Sequence, residues 1–68
     1  MNRLAKFNLV RNGDILRHPA MPAMHYRVAR YDPHHQELTL LVQEANSYRQ
    51  MTAVEFNQEP FYFAEEEN

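Results

Sequence analysis

Apolar and polar residues alternate most cleanly between Met24 and Gln43. Met24, Tyr26 and Val28 fall on one side at period 2, with His25, Arg27 and Ala29 on the other, the pattern of a half-buried strand. From Glu37 to Gln43 the alternation resumes, with Leu38, Leu40 and Val42 on one side and Thr39, Leu41 and Gln43 on the other. Asp32-Pro33-His34-His35 lies between the two runs, and proline suits the second position of a turn. These residues predict a hairpin.

The flanking segments are shorter. Asn12-Gly13 separates Phe7–Val10 from Ile15–His18, and an Asn-Gly pair between apolar runs predicts a tight hairpin. Taking Ile15 as inward sets Leu16 outward. Pro19 and Pro22 forbid a continuous helix and favour an extended loop. Glu44–Ser47 reads as a turn before a short strand, Tyr48–Met51. Thr52 and Glu55 have the spacing of a capping box, and Pro60 limits the helix it starts to one or two turns. Phe61–Phe63 forms a last strand, with Phe61 and Phe63 inward and Tyr62 outward. Phe7, Tyr26, Phe56, Phe61 and Phe63 are the expected aromatic core. The order predicts a mainly β fold: a small five-stranded antiparallel, partly open barrel of SH3-like type, with one short helical turn before the last strand. Residues 1–68 make a single domain, its core at about 7–63 and a frayed acidic tail at 64–68.

Size narrows the functions available. A chain of 68 residues with 44% hydrophobic and 24% charged residues is globular, and a core this small rarely supplies more than about 3–5 kcal/mol of net stability. Cysteine is absent, which excludes disulfides and thiolate metal sites. No apolar run approaches the roughly 20 residues of a membrane span. Together with an N-terminus lacking an export-type apolar stretch, this suggests a cytoplasmic protein with no membrane partner. A single glycine cannot build a phosphate cradle. Ser47 is the sole serine, and the run Glu65–Glu67 sits at a terminus where no fixed geometry tunes a carboxylate. His18, His25, His34 and His35 lack metal-ligand spacing and read as solvent-facing loop residues. The expectation is a protein that is not an enzyme, with no cofactor, no metal and no small-molecule substrate.

Asn12-Gly13-Asp14-Ile15, then Tyr26-Arg27-Val28, then Leu38-Thr39-Leu40 resembles the small SH3-like barrels appended to Mu-type transposases and retroviral-type integrases. The likeness covers about residues 7–63. The catalytic carboxylates of such enzymes lie outside the barrel, so no catalytic residue is carried over. What the resemblance implies is an accessory surface that docks nucleic acid or protein.

Charge divides along the chain. Six of the seven cations fall within residues 1–31 beside Asp14 alone, whereas residues 32–68 hold eight carboxylates and only Arg49. Two surfaces follow. Arg17, Arg27 and Arg30 can contact phosphates, and Tyr31, or alternatively Tyr48 or Tyr62, can supply a platform for stacked bases. On the opposite surface, exposed Leu16, Leu41 and Tyr62 with the acidic C-terminal half would serve a protein-interaction adapter for a basic partner. An overall pI near 6.0 is low for a dedicated nucleic-acid binder. Structurally, the same arginines can pair with Glu37, Glu44 and Glu55 on adjacent strands.

Overall fold

The computed structural model describes residues 3–64, so Glu65, Glu66 and Glu67 of the acidic tail lie outside the described residues. Five strands follow in order: β1 (Ile15–Arg17), β2 (Tyr26–Asp32), β3 (Glu37–Val42), β4 (Ser47–Thr52) and β5 (Tyr62–Phe63). The helix α1 (Ala53–Gln58) separates β4 from β5. All pairings are antiparallel within one sheet of order β4-β3-β2-β1-β5. The expected small, partly open barrel is the fold. No helix among the described residues is long and apolar enough to cross a membrane.

Turn chemistry explains the two central hairpins. Each has a four-residue loop, Pro33–Gln36 and Gln43–Asn46, ending in a residue of positive φ: Gln36 at 56° and Asn46 at 50°. In each, the amide of the fourth residue donates to the carbonyl of the first at 3.3 Å. The Asp32 carboxylate tightens the first loop by accepting the His35 N–H at 3.1 Å.

Asn12-Gly13 makes no hairpin between strands, which corrects the sequence expectation. Only Gly13, at φ 93°, has positive φ there, whereas the expected turn needs it at both residues. The turn spans Arg11–Asp14, closed by Asp14 N–H to Arg11 O at 3.1 Å. Gly13 N–H then donates to Val28 O and Val28 N–H to Asp14 O, so two residues of one chain segment oppose one of β2. That is a bulge, with glycine in the left-handed position such bulges favour. Phe7–Val10 is not a strand either. Phe7 and Val10, three apart, are both buried, which requires the tight turn closed by Leu9 N–H to Lys6 O at 2.9 Å. The proline segment also departs from an extended loop. It forms two successive turns, Met21 N–H to His18 O and Met24 N–H to Met21 O, each 3.0 Å.

One core fills the barrel. Leu16, Tyr26, Val28, Leu38, Leu40 and Met51 face it from the sheet, with Phe56 from α1 and Phe61 and Phe63 from the last segment. Phe61 is the hub: it stacks on Phe56 at 5.1 Å and meets Tyr26 and His18 edge-on at 5.2 and 4.9 Å. The expected capping box starts α1, with Thr52 Oγ1 accepting the Glu55 N–H at 3.1 Å and Glu55 accepting the Thr52 N–H at 3.0 Å. It points Phe56 inward and leaves Val54 exposed. Arg3–Ala5 runs along β5, through Ala5 N–H to Phe61 O and Phe63 N–H to Arg3 O.

Phe61→Ala removes about 3–5 kcal/mol, as much as a core this size supplies, and should leave the chain unfolded by circular dichroism at 25 °C. Val54→Ala on the exposed face of α1 should change stability by less than about 0.5 kcal/mol. Nothing lies within 4 Å of a Cβ built at Gly13, so space does not require glycine there; φ does. Gly13→Ala should therefore cost about 1–2 kcal/mol through backbone strain alone, measured by urea unfolding.

Candidate functional site

Register sorts the side chains of this sheet onto two faces, because directly paired residues point the same way. Leu16 pairs with Tyr26 and with Phe63, all buried, so Ile15 and Arg17 point outward. This corrects the assignment of Leu16. Its exposure is 0%, and it cannot belong to an interaction surface. The sequence left the sense of β1 open because three residues are too few to show an alternation.

A bulge sets the second half of β2. Val28 pairs with Leu40 and Arg30 with Thr39, leaving Ala29 as the extra residue. Beyond it the alternation changes phase. Arg27 and Arg30 both emerge on the outer face, while Tyr31 pairs with Leu38 and turns toward the core. The Tyr31 ring packs 4.9 Å from Phe7, and the Arg11 guanidinium lies 5.8 Å from its centroid. Tyr31 is thus half-buried and turned away from the face that carries Arg17, Arg27 and Arg30.

Leu41, Tyr62, Arg17, Arg27 and Arg30 share one outer face, so the two candidate surfaces are not on opposite sides. Arg17 pairs with Tyr62 at the β5 side of this face and donates to the Pro22 carbonyl. Arg27, Leu41 and Tyr48 form one row across β2, β3 and β4. They line an open groove of about 390 Å³ together with Asn12, Gly13, Val28 and Ala29. Among the described residues its lining holds one cation and no carboxylate. Arg27 has no carboxylate partner among the described residues, and Tyr48, on an edge strand, is 69% exposed.

Carboxylates cluster elsewhere. Arg30 reaches Asp32 at 3.5 Å, beside a notch that also includes Glu37 and Gln50. Arg49 lies in a groove of about 310 Å³ between β4 and α1, in the company of Glu55 and Glu59. The partners of the acidic residues also differ from the pairing the sequence allowed. Glu37 accepts from Gln50 at 3.2 Å, Glu44 binds His25 and Glu55 closes the capping box. Nor do all the histidines face solvent. The His18 side chain is 12% exposed; its Nδ1 accepts the Ala20 N–H at 3.0 Å, which places the ring proton on Nε2, 2.8 Å from Glu59. Among the described residues no three His, Asp or Glu side chains gather around one point.

His25 organises the rim of the outer face. Its backbone N–H donates to Glu44 Oε1 at 2.7 Å, and its ring Nδ1 meets Oε2. The backbone hydrogen bond first, and the ring second, hold the Glu44 carboxyl at about 2 rather than 4.5. Asp32 is likewise lowered, first by the His35 ring and then by the His35 amide. A carboxyl depressed by folding contributes stability above its unfolded pKa, and that contribution is lost as pH falls through the folded one. For Glu44 the window runs from 4.5 down to about 2. Glu44→Gln should flatten the fall of the urea midpoint across that window, and an unchanged pH profile would contradict the assignment. Compared with protein-family models, curated proteins and solved structures, the chain finds no match.

Proposed function

We infer that this barrel is a non-enzymatic accessory module that associates with nucleic acid through the outer face of its sheet. The observation that carries this reading is Arg27, which among the described residues has no carboxylate partner and lies in a groove lined by no acid. Arg17 and Arg30 flank it on the same face, and Tyr48 and Tyr62 supply aromatic surface. Arginine and tyrosine together suit phosphate contact and base stacking. The resemblance to barrels appended to transposases and integrases points the same way. Three arginines neutralise few phosphates, so binding is weak and salt-sensitive.

Leu41 at the centre of the row favours a second reading, a protein-interaction adapter. The arginine and tyrosine on either side of this half-buried leucine are also residue types enriched at protein-binding hot spots. Leu16 drops out of that surface, leaving Leu41 and Tyr62.

Replacing Arg27 and Arg30 together by Ala separates the two. If nucleic acid binds, affinity for unrelated oligonucleotides should fall alike, and the slope of log affinity against log salt should shrink by up to about two units on duplex DNA. Fluorescence anisotropy between about 50 and 200 mM salt reads both. No binding at the lower salt sinks the nucleic-acid reading and moves the adapter to first place.

A further inference from the structure

We propose that the groove formed by Arg27, Leu41 and Tyr48 is a stacking site for a base of single-stranded nucleic acid, a specialisation that rests on the nucleic-acid reading. Tyr48 is the most exposed large apolar side chain described, at 69%. It stands on β4, at the end of the sheet order, so a planar group can approach its ring from above and from the open edge. Arg27 stands two strands away in the same row, about 10 Å at ordinary strand spacing. A base stacked on Tyr48 therefore leaves its backbone running across Leu41 toward the Arg27 guanidinium, which takes a phosphate. The Asn12-Gly13 turn walls the far side of Arg27.

Duplex fits this surface poorly. Bases within a duplex have their π-faces covered by their neighbours, so Tyr48 gains nothing from them. Reading a major groove takes a helix or ribbon that can enter it. The one helix among the described residues, α1, has six residues and carries Glu55 in its first turn, where a phosphate would be repelled. Stacking on an aromatic ring needs no particular base, so the site tolerates sequence.

The test uses the full chain, with a labelled oligothymidylate of about 12 nucleotides, a length small barrels can cover, and a duplex of equal length. The single strand should bind at least about fivefold tighter than the duplex, the lower limit for one stacked base. Tyr48→Leu should lose roughly five- to a hundredfold on the single strand and leave duplex binding unchanged; Tyr48→Phe should keep both. The chain has no tryptophan and four tyrosines, so its emission reports tyrosine alone. Saturation with the single strand should quench part of it, and that part should vanish in Tyr48→Phe. Should Tyr48→Leu fail to fold, this comparison decides without it. Equal affinity for both forms, or a quench that survives Tyr48→Phe, overturns the stacking site while leaving the nucleic-acid reading intact. Absence of binding to either form removes both.

Discussion

The extra residue at Ala29 is the constraint on which the two faces of this barrel depend. Strict alternation through β2 would point Arg30 inward and Tyr31 outward. An unpaired guanidinium in a dry core costs several kcal/mol, and a tyrosine ring left in water forfeits its burial. The bulge resolves both at once, because it shifts the phase by one residue after Val28. Arg30 joins Arg27 on the outer face, and Tyr31 closes over Phe7. The added twist also helps a short sheet curl around its core.

Val28 is bent from both sides. Toward β3 it precedes the Ala29 bulge, and toward β1 it faces the Gly13–Asp14 bulge, whose hydrogen bonds to it are 2.8 and 2.9 Å. The two irregularities meet at the groove, which Asn12, Gly13, Val28 and Ala29 line along with the row Arg27, Leu41 and Tyr48. Strand irregularity and candidate site therefore coincide. The same local bend that lets the barrel curl opens a concavity on its outside.

Much of this was legible in the sequence, and the exceptions have definite causes. Period 2 over Tyr26–Val28 and Leu38–Val42 is long enough to orient β2 and β3, and Thr52 with Glu55 announced α1 through its cap. Leu16 was misassigned because β1 has three residues, and its sense is imposed by Tyr26 and Phe63 across the ladder. Asn12-Gly13 suggested a hairpin because local turn preference cannot distinguish a turn between strands from a bulge before one. The row Arg27–Leu41–Tyr48 was not visible either. Its members are spread over 22 positions, from 27 to 48, and only two registers align them. Alternation had already placed Arg27 and Leu41 outward; the missing information was which residues of separate strands lie side by side.

The outer face thus combines a cation, an apolar centre and an open aromatic ring in one row, with the carboxylates Asp32 and Glu37 at one end and Glu44 at the other. Carboxylates therefore bound this face at both ends, so attraction for anions is strongest in its middle. The most direct measurement is an amide chemical-shift titration of the labelled protein with an oligothymidylate at low salt. Perturbations should concentrate on residues 12–13, 27–30, 39–41 and 48, leaving α1 and the groove at Arg49 unchanged. A titration without shifts, or one that moves α1 and Arg49 instead, would contradict the account.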